Sequence, residues 1–431
     1  MSTIILGGGI AGLSLAYFLR RSSLILEKQS QVGGLCRSFE LNSIAYDIGP
    51  HIIFSKNREI LDLHTSLVET NRIRRSNKIY HKGRFVKYPF ENGLGALDEH
   101  DRDYCLKEFL NNPYGDYPAA NMLQFFLKTF GEGITRLYLQ PYNEKIWKYD
   151  PSFMDTQMVE RIPKPPKEDV IKSAQGVETE GYTHQLYFHY PREGGFQSLV
   201  NAYARKLGPK CDILKGVSIR RLFKQGGRWQ VETDRGHFVC ETLLNCMPLH
   251  ELFKVLEAPD EVRRAVGRLQ YNSIHIVVVQ AKKDTLGDNF ALYLADPAIL
   301  FHRLSKLNFL GESYCLPGGG STLLAEITFR PNSYLGSMSA DAIKDRVLDD
   351  LQRINFVRRD DVLAVELKTF RYAYVIYDLE HRKNTDFVLD YLKRIGIRCA
   401  GRFAEFEYLN SDGVVERTRQ LARELNGESD A

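Results

Sequence analysis

Gly7, Gly9 and Gly12, followed by the carboxylate of Glu27, are the residues whose spacing most directly implies chemistry. Gly7 permits a tight turn, Gly9 lets the backbone approach a pyrophosphate, and Gly12 lets a helix pack close to a strand. The N-terminus of that helix offers free N–H groups and a partial positive charge to the phosphates. Glu27 lies about 20 residues beyond Gly7, the distance at which an acid accepts hydrogen bonds from ribose hydroxyls. A chance glycine turn is the bland alternative, but it does not supply the acid. Together the glycines and the acid predict dinucleotide binding.

A second glycine pair, Gly33-Gly34, is followed by Arg37. This gives another close backbone approach and a cation for phosphate or ribityl oxygens. A nicotinamide dinucleotide rarely needs that second approach, whereas FAD, with its longer body across the sheet edge, does. No other side-chain chemistry competes. The seven cysteines are scattered, and Cys240 and Cys246, the closest two, lack CxxC spacing, so neither a disulfide framework nor a zinc site is expected. Buried reduced thiols fit a cytoplasmic protein. The histidines lack metal spacing, and no metal site is expected.

These residues need particular elements to hold them. Thr3–Leu6 reads as a buried strand, Leu13–Leu19 as an apolar helix and Ser23–Leu26 as a second strand, the opening βαβ unit of a dinucleotide-binding fold. Tyr104–Leu110 and Ala120–Phe130 read as helices. Val217–Phe223, Trp229–Thr233, His237–Cys240 and Thr242–Cys246 alternate as strands, with Gly226-Gly227 as a hairpin turn. Ile274–Gln280, Leu323–Thr328 and Val362–Phe370 read as further strands. Ala340–Arg353 is an amphipathic helix, Gly396–Ala400 a late strand and Gly413–Leu425 a closing helix.

The length of 431 residues suggests two or three domains. With 43% hydrophobic and 26% charged residues the chain is globular, which excludes a disordered, collagenous or coiled-coil protein. A net charge of +4 over this length is no nucleic-acid signature. No stretch approaches the apolar length of a membrane span, and no signal peptide is visible. The 23 Tyr and 24 Phe suit a cleft for flat or polyhydroxylated ligands, although most such rings simply pack.

The first forty residues, His189–Gly195, Leu243–Pro248 and Gly401-Arg402 resemble the FAD-dependent amine-oxidase/protoporphyrinogen-oxidase superfamily. A narrower set resembles UDP-galactopyranose mutase, particularly its eukaryotic-type branch. Asp47–Ser55 is similar to that family's histidine loop, Val86–Asn92 to its nucleotide-site strand and Pro141–Trp147 to its uridine motif. Phe301–Arg303, with Tyr293 upstream, is similar to its diphosphate arginine, and Gly401–Tyr408 to its closing FAD and phosphate motif. Glu91 stands where that family usually has Gln, and Tyr138 where an apolar aromatic is common.

The resemblance implies an α/β fold. Its parts would be a discontinuous Rossmann-like FAD-binding domain (1–85, 189–260 and 395–431), a helical substrate-covering insertion (86–188) and an antiparallel sheet domain (261–394), with a lid near 163–184. It implies that Gly7, Gly9, Gly12, Glu27, Gly34, Arg37, Arg402 and Asp412 hold FAD and that the Val217 backbone meets the adenine. His51 would shape the flavin face and belong, with Arg161 and Arg303, to the catalytic set. Tyr88, Tyr138, Asn143 and Trp147 would hold the nucleoside. The two arginines, with Tyr293, Tyr374 and Tyr408, would grip the diphosphate. Two guanidinium forks suit the charge of a diphosphate, and phenols add neutral donors.

The implied reaction interconverts a nucleoside-diphosphate hexopyranose and hexofuranose. N5 of the reduced flavin attacks the anomeric carbon and displaces the diphosphate. The sugar–flavin iminium opens, recloses through O4, and the diphosphate returns. The expected partners are a nucleotide sugar and a reductant such as NAD(P)H; a homo-oligomer is left open. Two rival readings remain. One is an oxidoreductase of the same superfamily, acting on an amine, a tetrapyrrole precursor or a carotenoid. The other is a flavin-binding scaffold without turnover.

Overall fold

The computed structural model describes residues 2–428 except 163 and 181–185, with no side chains described for 160 and 161. Thr3–Leu6 and Ser23–Glu27 are buried at every position and pair in parallel, with helix Ile10–Phe18 between them. That helix is apolar nearly all round because it is covered on both sides. One cover is helix Ser411–Asn426, where Thr418 Oγ1 meets Ser14 Oγ at 2.8 Å.

The parallel sheet runs Ile397–Cys399, Thr242–Asn245, Thr3–Leu6, Ser23–Glu27, Cys211–Lys215, so three distant stretches of chain build it. A small antiparallel sheet of Ile219–Gln225, Arg228–Thr233 and Gly236–Cys240 sits beside it, with the expected turn at Gly226-Gly227.

The second large sheet has seven strands. Its order is Val362–Val375, Tyr271–Ala281, Ser321–Phe329, Arg303–Lys306, Ala291–Leu294, Asn77–His81, Arg84–Lys87. It is antiparallel except where Ala291–Leu294 runs parallel to Asn77–His81. Two of its strands thus come from the stretch before residue 90, outside 261–394. Tyr271–Ala281 and Ser321–Phe329 are buried throughout and form its spine. The register sets Tyr293 opposite Arg303 and Arg303 opposite Glu326, a row of polar side chains directed to one face.

Helices Glu99–Leu110 and Met122–Ile134 pack tightly at Gly131 and Gly133; a Cβ on Gly131 would lie 2.4 Å from the Glu108 carbonyl oxygen. A π-helical turn, Thr135–Leu139, follows and sets the phase of helix Gln140–Trp147. Among the described residues no helix is long and apolar enough to cross a membrane. All seven cysteines are free thiols.

Candidate active site

At the mouth of the parallel sheet, the glycine positions behave as their spacing requires. A Cβ on Gly12 would lie 2.0 Å from the Gly7 carbonyl oxygen, so only glycine lets the helix approach the strand. Gly33 N–H donates to Gly8 O at 2.8 Å, and a Cβ on Gly34 would come within 3.2 Å of Gly9 Cα. The two glycine turns therefore lie against each other as one backbone cradle. Glu27 is nearly buried at the end of its strand and accepts from Gly8 N–H and Gln29 N–H, both at 2.7 Å. Val217 N–H donates to the Glu27 carbonyl at 3.0 Å, which sets that backbone beside the acid. Arg37 Nε donates to Gly34 O at 2.9 Å.

A cavity of about 240 Å³ is lined by Leu35, the residue after the second glycine pair. His51, Arg303, Tyr374, Arg402 and Tyr408 line it together with Asn410–Asp412, the start of the last long helix. The backbone N–H groups at that start carry a partial positive charge. Arg402 is fixed by Leu409 O at 2.7 Å and Ala373 O at 3.2 Å, and its guanidinium lies 4.9 Å from the Tyr408 ring centroid. A cradle that rejects side chains, a strand-end acid and a cavity lined by an arginine and by a helix start fit FAD.

His51 sits against Phe196, ring centroids 5.3 Å apart, with Nδ1 buried and lacking a hydrogen-bond partner. Burial, then Arg402 and Arg303, lower its pKa to about 3, so the imidazole is neutral. Its loop is held by Asp47, a residue the motif reading did not single out. Asp47 accepts from Ser38 Oγ at 2.6 Å, Tyr190 OH at 2.8 Å, Phe196 N–H at 3.0 Å and His51 N–H at 3.4 Å. Burial raises the Asp47 carboxyl to about 6 despite those donors.

Arg303 faces the cavity with its side chain 23% exposed. It is held by Glu326, fully buried on the adjacent strand: Arg303 Nε donates to Oε1, and Nη2 donates to Oε2 at 2.7 Å. Burial opposes the Arg303 charge, and Glu326 more than restores it. Tyr374 and Tyr408 stack with centroids 5.9 Å apart, and Trp147 stands edge-on to both. Burial, then Glu326, push the Tyr374 phenol above its usual range. Trp147 Nε1 donates to Asn143 Oδ1 at 2.9 Å, while Asn143 Nδ2 donates to Leu139 O at 2.7 Å, so Asn143 orients the indole.

The remaining predicted aromatics form a run. Tyr88 meets Tyr293 at 4.8 Å, Tyr293 meets Tyr142 at 5.7 Å, and Tyr142 stacks on Tyr138 at 5.3 Å. Tyr138 is buried behind Tyr142 and stacked on Phe90. Tyr142, within the quoted uridine motif but assigned no role, connects the Tyr293 strand with this aromatic helix. Glu91 is buried, Oε1 lacks a partner, and burial raises its carboxyl to about 7. Arg161 ends the turn Thr156–Arg161, and its side chain lies outside the described residues, as does part of the 163–184 segment.

Fold and site define the class: a Rossmann-like dinucleotide-binding fold joined to a second, seven-stranded sheet. Residues 5–67 match the NAD(P)-binding Rossmann-like domain. The structure is similar to UDP-galactopyranose mutase in its reduced form, with a TM-score of 0.91 and 22% identity, covering 100% of this chain and 96% of that one. The chain thus has the fold of UDP-galactopyranose mutase, the resemblance its motifs carry. It is also similar to a provisionally named protoporphyrinogen oxidase from Exiguobacterium sp. 255-15 (TM-score 0.77, 16% identity, 99% of each chain). A redesigned putrescine oxidase gives a TM-score of 0.65 at 14% identity, covering 99% of each chain. In sequence, 60 residues are 42% identical to an uncharacterized protein from the nifH2 3′ region of Methanothermococcus thermolithotrophicus, covering 13% of this chain and 58% of that protein.

Proposed function

We propose that this protein is a flavin-dependent sugar-nucleotide mutase, interconverting pyranose and furanose forms of a nucleoside-diphosphate hexose of the UDP-galactose type. The observation that carries this reading is the shared wall of the cavity. The His51 loop and Arg402, on the cofactor side, meet Arg303, Tyr374 and Tyr408, an anion-binding set, across one space. Oxidation of an amine does not call for an arginine and two phenols there. A leaving diphosphate does.

FAD would lie along Gly7, Gly9, Gly12, Glu27, Gly34 and Arg37, with its ring at His51, Arg402 and Asp412. When bound and reduced, it supplies the nucleophile toward the anomeric carbon. The chain's own residues do the rest. Arg303 donates to diphosphate oxygens and stabilises the charge that gathers on them. Burial keeps the Tyr374 phenol protonated as a neutral donor, and the Tyr408 hydroxyl stands beside it. Neutral His51 brings no second cation against the ring. Tyr88, Tyr142 and Tyr293 offer faces for the base and ribose. In this reading the protein acts in the cytoplasm and takes electrons from a donor such as NAD(P)H.

The test is direct. The purified protein, reduced with dithionite, is offered UDP-galactopyranose, and chromatography follows the ring-contracted product. Conversion is expected only after reduction, and Arg303→Ala should lower kcat/KM about 10- to 100-fold. Peroxide release from an amine, with no sugar-nucleotide conversion in either redox state, would establish the oxidase alternative instead.

A further inference from the structure

Glu326 has no part in the reaction outlined above, yet it holds Arg303 more completely than any other group in the structure. It is fully buried and directly opposite Arg303 in the sheet register. Their contact uses Nε and Nη2 together. Gly49, at a φ of +75°, lies over the same pair; a Cβ there would come within 2.8 Å of Glu326 Oε2 and 3.2 Å of Arg303 Nη2. One ion pair therefore sets both the plane of the guanidinium and the height of the loop that carries His51.

We propose that Glu326 is a positioning residue that spends the side edge of the Arg303 guanidinium, so that only its end-on fork is offered to an anion. A guanidinium has five N–H donors. Glu326 takes the one on Nε and one on Nη2, which leaves the second Nη2 proton and both Nη1 protons. The Nη1/Nη2 edge is still a bidentate phosphate fork. It is the sole fork left, so the phosphate must approach along the long axis of the side chain. This inference rests on the mutase reading of the same cavity.

The experiment uses the intact flavoprotein and two probes, UDP and uridine, with calorimetric affinities. Glu326→Gln keeps the size but presents an amide N–H₂ toward a guanidinium donor. It should weaken UDP about tenfold or more while leaving uridine affinity and the flavin absorption spectrum unchanged. Glu326→Asp, which keeps the charge but cannot span both nitrogens, should show the same UDP-selective loss and serves if the glutamine variant does not fold. Added to Arg303→Ala, either change should cost less than about twofold more. Parental UDP affinity in the Glu326 variants, equal losses for UDP and uridine, or an additive double variant each overturn the proposal. If Arg303→Ala itself leaves UDP affinity unaltered, the diphosphate reading fails and takes this proposal with it. A flat result confined to Glu326 overturns this proposal alone.

Discussion

Asp47 shows how much of a site one buried carboxylate can organise. Its two oxygens collect donors from the neighbouring strand, from Tyr190, from the Phe196 backbone and from the histidine loop. Asp47→Ala strands several buried donors at once, with an expected loss of about 3 kcal/mol or more, measurable by denaturant unfolding. Asp47→Asn, keeping one acceptor oxygen, should lose less, and both should purify with less flavin. Equal stability of Asp47→Ala and the parent would refute the clasp. Asp47 was in view in the sequence, but its role was not. Tyr190 and Phe196 lie 143 and 149 residues away, and nothing local signals that they converge. Glu326 and Tyr142 were obscure for the same reason. Gly7, Gly9, Gly12 and Glu27 were legible because their interactions are local to one βαβ unit.

At the scale of elements, legibility follows how locally each element is specified. Ala340–Arg353 has the predicted bounds because its apolar periodicity and the Ser339 cap, which accepts from Ala342 N–H at 3.2 Å, lie within one turn of its start. Val362–Val375 runs beyond the predicted Phe370 because Tyr374 and Val375 pair with Asn272 and Tyr271, which sequence alone does not reveal. The short strands Ala291–Leu294 and Arg303–Lys306 were not predicted as strands, since they owe their form to neighbours in the sheet. The opening unit supplies the element-scale prediction. Gly12→Ala drives a methyl into the Gly7 carbonyl, so helix Ile10–Phe18 must move off the sheet. The variant should lose about 1–3 kcal/mol, as overpacked cores do, and purify without flavin. Normal flavin content, read from the visible spectrum, would refute the close approach.

The whole molecule carries a pH dependence that no single element has. Burial lowers His51 to about 3 and His64, His250 and His275 to about 4, from an ordinary value of 6.5. Between pH 6.5 and about 4 the unfolded chain protonates these rings and the folded one does not, so their contribution to stability is present above 6.5 and lost on acidification. Asp47 and Glu91, raised by burial to about 6 and about 7, act in the opposite sense, because the fold binds their protons first. Among the described residues eight histidines are lowered and four carboxyls raised, so the melting temperature should fall steadily between pH 6 and 4.5. A flat or rising melting curve over that interval would contradict the buried neutral histidines. The strand order has its own consequence for synthesis. Ile397–Cys399 completes the sheet that contains Thr3–Leu6, and Arg402 and the start of helix Ser411–Asn426 line the cavity, so a nascent chain still tethered to the ribosome lacks part of that wall. The flavin proposed for this cavity would therefore meet its complete wall only after helix Ser411–Asn426 has been made.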